Sequence, residues 1–470
     1  MGRNRETNNE AGTSGRVIDR LWRFFSSVRL ALVLMLVLTG LSLIGALLIQ
    51  APGDVLADKE AYVFWLESAA APKYGAWTPL FSLFRLFDMF HSPWFLGAGA
   101  LLIISILVCS LNRWQSLRLT LSGGPVKLGE TFYTGGDTHG ELITGASSSP
   151  EAVNRVLVKR GYRVRTEQHD DKVYIAADKN RSFRLGTYVS HLSIILFIIG
   201  FLIGSYFGFR DTDFIVAEGA TQDVGHDTGL SLSLESFVDE YYDDGMPRDY
   251  RSQVTLLENG QPVRSEIVRV NHPLIHEGVR FYQSFFGPAV KVHIKDASGK
   301  VLLNDTIPMT RVTGGQVRRN IAFFDLPEVA MTAQLIGPAI NAPDTILNEG
   351  ELAVQVSHAD QAIDMNRAVR GVPQQIGGLE FTYLDDAQYS GFQVSRDPGN
   401  ILIWIASSLF VIGVGLVLYF PYKQVWVLVQ PRGKNNRILV RSVSPRSFNA
   451  ASEHRSLLGD IQEQLEPKSG

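Results

Sequence analysis

In a chain of 470 residues, 44 Lys+Arg nearly cancel 47 Asp+Glu, leaving a formal net charge of -3. No basic excess points to nucleic acid. The single cysteine, Cys109, excludes an intrachain disulfide framework and any paired-cysteine redox or zinc site, while the length allows two or three domains.

Taken in order, residues 1–27 begin polar and turn basic at Arg16, Arg20 and Arg23, which reads as a disordered tail leading into a membrane anchor. Leu30 to Ile49 is uninterrupted apolar sequence, longer than the 7–15 residues of a signal-peptide core and without a convincing cleavage site after it. It reads as an uncleaved first span within 28–50. The 51–93 loop ends in LFSLFRLFDMFHSPW, whose aromatic density suits a helix lying at headgroup level. His91 there has a structural reading and, left open beside it, a place near a cofactor path. A second span, 94–112, holds Cys109 within its apolar run, the setting of a buried, inert thiol.

Charge then sets the orientation. Arg16, Arg20, Arg23 and Arg29 precede the first span, and Arg113, Arg118, Lys179, Arg181 and Arg184 lie between the second and third, whereas the 51–93 loop holds only Lys59, Lys73 and Arg85. The positive-inside rule puts the N-terminus and residues 113–185 in the cytoplasm. SPEAVNRVLVKRGYRVRTEQ and DKVYIAAD predict a short helix starting at Pro150, a stop at Gly161 and two strands. The segment reads as a small α+β module bracing the second and third spans.

The third span, 186–209, carries RLGTYVSHLSIILFIIG at its start. Its apolar length exceeds the ~20 residues needed to cross a bilayer, and only a helix satisfies its backbone there. Gly200, Gly204 and Gly208 recur at four-residue spacing, a pattern that lets helix backbones approach closely. At about 100° per residue, His191 falls roughly 180° around the helix from Gly200, so the two faces need different neighbours. An imidazole at membrane depth is costly and points into a bundle or cavity. The pattern leaves two roles open, interhelical hydrogen bonding and axial ligation of haem iron.

Residues 210–399 alternate apolar and polar in runs such as LSLSLESF, SQVTLL, VRSEIVRV, VKVHI and LAVQVSH. With turn signals at Asn259-Gly260 and Ser298-Gly299, they predict an all-β domain, a sandwich or partly open barrel. In NHPLIHEGVRFYQS, Pro273 after His272 disfavours a helical His272/His276 metal pair. Residues 271–284 read instead as strand, turn and strand, a candidate docking surface. Asp397-Pro398-Gly399 predicts a rigid turn into the fourth span, 400–420, with partner contact as its alternative role. The 421–470 tail is polar with a helix expected at 450–466, and no chemistry is assigned to it. The fold class is therefore an integral membrane protein of four transmembrane helices with a large all-β extracytoplasmic domain and a small α+β cytoplasmic segment. Both termini are expected in the cytoplasm, on the cytoplasmic (inner) membrane.

FDMFHSPWF, RLGTYVSHLSIILFIIG, YYDDGMPRDYRSQV, NHPLIHEGVRFYQSFFG and SRDPGN, in this order on a four-span topology, carry a resemblance over about residues 20–430. The chain resembles the ResB family, also called CcsB, of system II cytochrome c biogenesis proteins. The resemblance implies pairing with a ResC/CcsA-type membrane protein, export of haem b as the transported substrate, and its attachment to apocytochrome c. Thiol-reducing thioredoxin-like proteins would act indirectly, supplying the thiol chemistry this chain lacks. The family's third-span histidine, thought to be one axial haem ligand, maps onto His191, roughly 9 Å along the helix from the basic flank at 1.5 Å per residue. Arg181 and Arg184 then become candidates for haem propionates, with plain positive-inside anchoring as the equal alternative. The seven tryptophans are scattered, so the tryptophan-rich haem platform that the partner family resembles is not in this chain.

No Ser/His/Asp, paired-carboxylate, P-loop or zinc-spacing constellation stands out, so any part in a holocytochrome c synthase is holding and orienting rather than acid/base catalysis. Two alternatives stand beside the haem-delivery reading. One is a scaffold or chaperone without haem, in which His191 bonds within the bundle. The other, a redox relay, is disfavoured by the lone cysteine.

Overall fold

The computed structural model describes residues 6–136, 138–145, 149–314, 316–359, 361–444 and 449–466. The ends of the 1–27 and 421–470 segments lie outside them. The chain forms two compact units, one of residues up to Leu202 together with Gly399 onward, the other Ile203–Pro398.

Four helices are long and apolar enough to cross a membrane: Val28–Leu47, Pro93–Ser122, Arg181–Phe207 and Asn400–Tyr419. They expose large apolar side chains such as Leu36, Trp404 and Val411, as helices solvated by lipid do. The second runs ten residues past the expected end at 112, carrying Arg113 and Arg118 on a helix. Ser92 caps it, accepting from the Phe95 amide at 3.2 Å ahead of a proline at the first helical position, which removes two orphan donors of that first turn.

The opening tail departs from expectation, because Glu6–Phe25 is helical. Apolar Val17, Ile18, Leu21 and Phe24 recur at helical spacing between the arginines, and such a pattern favours an amphipathic helix. Trp22 Nε1 donates to Asn112 Oδ1 at 3.3 Å, and Ser105 Oγ donates to the Phe25 carbonyl at 3.0 Å. Both bonds tie this helix to the second span.

The 51–93 loop is a run of short helices, as its aromatic content suggests. Around its buried Asp88, His91 Nδ1 lies 2.8 Å from Oδ1 and Arg85 pairs with Oδ2. Burial alone would raise the Asp88 pKa, but the hydrogen bonds from His91 and Arg85 prevail and hold it below the ordinary carboxylate range. His91 thus helps to fix this turn through Asp88.

The α+β module is larger than residues 113–185. Its five-stranded sheet runs, in order, His139–Thr144, Asn435–Val443, Lys423–Arg432, Lys172–Lys179 and Arg163–His169. The polar tail thus supplies two of the inner strands. Val425–Val429 is buried throughout because the sheet is covered on both faces. Val425 and Val427 meet the helices Ser149–Lys159 and Ala450–Leu465 through Val153, Leu157, Leu457 and Ile461, while Trp426 and Leu428 meet Tyr133 and Tyr174. Alternation along one strand therefore serves two cores.

The second unit is all β. Val279–Lys295 and Leu379–Arg396 pair antiparallel from Val279↔Arg396 to Lys295↔Glu380 and run through two cores. At one end Phe281, Phe392 and Val394 pack on Leu232, Leu234, Val254 and Leu256. At the other Val292, Ile294 and Phe381 pack on Leu335, Val354 and Val356. The expected sandwich is thus two sandwiches sharing one long hairpin-like pair. Between them Gln283 Oε1 accepts from Ser252 Oγ at 2.5 Å and Ser390 Oγ at 2.9 Å, a satisfied buried trio that pins three strands. The Asn259-Gly260 and Ser298-Gly299 turns join paired strands as expected, and residues 271–284 form strand, turn and strand.

His454 on the terminal helix is buried against the composite sheet, its Nδ1 2.7 Å from Ser442 Oγ. Burial pushes its imidazole below the ordinary value of 6.5. A histidine with a depressed folded-state pKa binds its proton more readily when unfolded, so its contribution is complete above ~6.5 and shrinks as pH falls below it. A melting temperature lower at about pH 5.5 than at pH 7.5, followed through Trp426 fluorescence, is expected, with His454→Leu flattening the difference.

Candidate functional site

The third span starts where the composite sheet ends. Asn180 adopts a left-handed conformation at φ 65°, and its Nδ2 donates to the Pro421 carbonyl at 3.2 Å. This joins the entry of the third span to the exit of the fourth. A short turn, Arg181–Leu185, leads into the helix Gly186–Phe207.

The two faces of that helix meet different neighbours, as the 180° offset requires. On one face His191 is half-buried, with Nδ1 2.9 Å from Ser110 Oγ on the second span. Tyr188 Oη, one turn earlier, donates to the Ser110 carbonyl at 3.1 Å and stands edge-on to Trp114 with ring centroids 5.8 Å apart. Further along this face Ile194, Ile195 and Ile198 pack on Leu34, Leu102 and Ile106 of the first two spans. Nε2 of His191 has no hydrogen-bond partner among the described residues.

The opposite face lies against the fourth span. A Cβ on Gly413 would stand 2.5 Å from Ser190 Oγ and 2.7 Å from the Gly186 carbonyl, and one on Gly200 would stand 3.0 Å from Leu402 Cβ. The backbones therefore touch at Gly186 and Gly413, two glycines outside the expected stripe. Of that stripe only Gly200 meets a helix; Gly204 lies against Asp397 and Gly208 against the Arg396 carbonyl. Small residues thus seat the third span on the fourth through close van der Waals contact.

Where the second, third and fourth spans reach the composite sheet they enclose a cavity of about 460 Å³, within the range of ligand pockets. Arg113, Arg184, Phe183, Tyr188, Phe420 and Tyr422 are among its walls. Arg184 Nη1 donates to Thr120 Oγ1 at 2.7 Å, and its guanidinium sits over the Tyr422 ring, 5.4 Å from the centroid. Burial pushes the Tyr422 phenol up to about 12, so it remains a donor at neutral pH. Its hydroxyl and the Arg113 guanidinium have no hydrogen-bond or ion-pair partner among the described residues.

Of the residues singled out from sequence, Arg184 lines this cavity. His191 sits one turn from Tyr188, a wall residue. Arg181 is turned aside, 3.8 Å from the buried carboxylate of Asp178, and is not among the walls. His91 belongs to the far end of the second span, roughly 25 Å from Ser110 at 1.5 Å per residue. His272 and His276 lie on the β unit. Sequence reasoning missed Ser110, Tyr188, Arg113 and Tyr422. Tyr188 is readable in retrospect from its spacing to His191, whereas Tyr422 arrives from the far end of the chain.

A sequence profile described as the ResB-like family matches residues 28–451. The chain belongs to the ResB-like family. A protein of Synechococcus sp. strain RCC307 bearing the name Cytochrome c biogenesis protein CcsB is 27% identical over 449 residues, covering 93% of this chain and 95% of that relative. Cytochrome c biogenesis protein ResB of Bacillus subtilis strain 168 is 22% identical over 462 residues, covering 87% and 82%. The family match begins at the first span and extends through both tail strands of the composite sheet, so the resemblance read over 20–430 falls short at its C-terminal end. The whole frame of the cavity belongs to the family's extent.

The Gly186–Gly413 contact positions this frame. Gly413→Leu overfills a backbone contact, a change that costs about 1–3 kcal/mol or more. The expected result is a lower melting temperature in detergent and faster protease cleavage near Pro421, with Gly415→Leu, whose Cβ meets open space, close to wild type.

Proposed function

We propose that this protein is the haem-holding subunit of a system II cytochrome c synthase, working with a ResC/CcsA-type membrane protein to deliver haem b for attachment to apocytochrome c. Support comes from the family membership, from relatives named for cytochrome c biogenesis, and from one observation above all. His191 has one ring nitrogen held by Ser110 and the other without a hydrogen-bond partner among the described residues, one turn from a cavity walled by two arginines.

With Nδ1–H donating to Ser110, Nε2 carries the lone pair, the arrangement of a histidine ligand oriented from behind. His191 Nε2 would then hold the iron of haem, the transported substrate, together with a second ligand from the partner. Arg113, Arg184 and the protonated Tyr422 offer charge-assisted and neutral hydrogen bonds to its propionates. Arg184, one of the two arginines considered for this role, lines the cavity with Arg113, while Arg181 does not. The positive-inside bias puts this cavity at the cytoplasmic side, with both termini there and the β unit outside. Thioether formation at apocytochrome c then needs reduced cysteines from thiol-reducing thioredoxin-like proteins, since Cys109 is buried.

The Ser110 bond also favours a second reading, a haem-free scaffold in which His191 only joins two helices. The optical spectrum of the protein purified with its partner separates them. A low-spin, bis-imidazole haem signal is expected, lost in His191→Ala and restored by added imidazole. In Ser110→Ala haem affinity is expected to fall about 10- to 100-fold, the usual effect of removing an orienting group. Haem content and spectrum unchanged in His191→Ala would establish the scaffold reading instead.

A further inference from the structure

The β unit has a cavity of its own, about 660 Å³ in volume. One side is the end of the third span, Gly204, Ser205 and Gly208; the other is the outward face of three paired strands. The pairing fixes what that face presents. Ser395 lies opposite Arg280 on one neighbour and opposite Arg210 on the other. The two arginines therefore stand in one row across three strands, roughly 10 Å apart at the 4.8 Å strand spacing, with a serine hydroxyl between them. In the next row on the same face Tyr282 lies opposite Gln393. Inward-facing Phe281 and Val394 are buried in the core behind, so the face is held rigidly.

Arg396 also lines the cavity, and Asp397 is its one acidic wall residue. Among the described residues, none of the three guanidinium groups has a hydrogen-bond or ion-pair partner. This contrasts with Arg251 and Arg269 in the same unit, which are paired with Glu240 and Asp249. Three such arginines around one concavity, with a serine, a tyrosine and a glutamine between them, match a phosphate oxyanion in charge and donor count. The cavity also opens at the last turn of an apolar helix of spanning length, where amphiphiles place their headgroups.

We propose that this cavity binds the phosphate of a lipid headgroup, held by Arg210 and Arg280 across Ser395. The site is independent of His191 and does not require iron.

The test is native mass spectrometry of the full chain in neutral detergent. The probes are dioleoylphosphatidic acid and dioleoylglycerol, which differ only in the phosphate. Wild type is expected to retain the phosphatidic acid about tenfold better, and Arg210→Gln/Arg280→Gln is expected to abolish that preference. Equal retention of the two by wild type, or undiminished preference in the double variant with its melting temperature unchanged, would overturn the site. Neither probe contains iron or a porphyrin, so neither outcome bears on axial ligation.

Discussion

The structure depends on how the third span divides its surface. Facing the fourth span it is reduced to Gly186, Ser190 and Gly200, so the backbones touch. Facing the second it carries an imidazole bonded to Ser110. In lipid the hydrophobic effect does not drive helices together, so association rests on close packing and polar bonds. This helix uses packing on one side and polar bonding on the other. The glycine contact fixes the helix in depth and rotation, and that placement brings His191 to Ser110 and Tyr188 to the cavity wall. Without it, neither ring nitrogen of His191 would have a defined environment.

A second constraint comes from the composite sheet. Residues 139–179 leave the second span and return to the third, while 423–443 follow the fourth; their strands interleave, with Lys423–Arg432 seated between Lys172–Lys179 and Asn435–Val443. Three spans are therefore fastened together at one end by backbone hydrogen bonds as well as by side-chain packing. Such fastening suits the holding role proposed for this cavity, in which precision of position is the contribution. It also explains why the cavity's walls come from such distant parts of the chain.

The spans, the alternating strands of the β unit and the opposition of His191 and Gly200 were legible because each rests on a local period, 3.6 for helices and 2 for strands. The composite sheet was not. A strand such as VWVLV in the tail is a short continuous apolar run whose partner lies hundreds of residues away, and periodicity does not name partners. The opening tail was misread as disordered because its apolar residues are sparse among polar ones, and the bonds that tie it to the second span, from Trp22 to Asn112 and from Ser105 to the Phe25 carbonyl, join positions about 80 to 90 residues apart. Arg113, Arg181 and Arg184 form one undifferentiated basic flank in sequence. Only the turn at Asn180 and the exit of the fourth span decide that Arg184 and Arg113 face the cavity while Arg181 turns to Asp178.

The two cavities share a physical logic although they lie in different units. Each is built where an apolar helix of spanning length meets a sheet, and each leaves arginine unpaired there. Burying a guanidinium without a counterion is costly, and a largely buried arginine usually has a carboxylate beside it, as Arg319 has Asp344. Unpaired arginines gathered in a concavity therefore create local positive potential that low-dielectric walls strengthen. An amphiphile with an acidic group satisfies both parts of such a site at once, its apolar body beside the helix and its acid on the arginines. A water-soluble anion would satisfy only the second part, and a neutral lipid only the first. Both proposed ligands, haem near His191 and a lipid phosphate at Arg210 and Arg280, are of that mixed character.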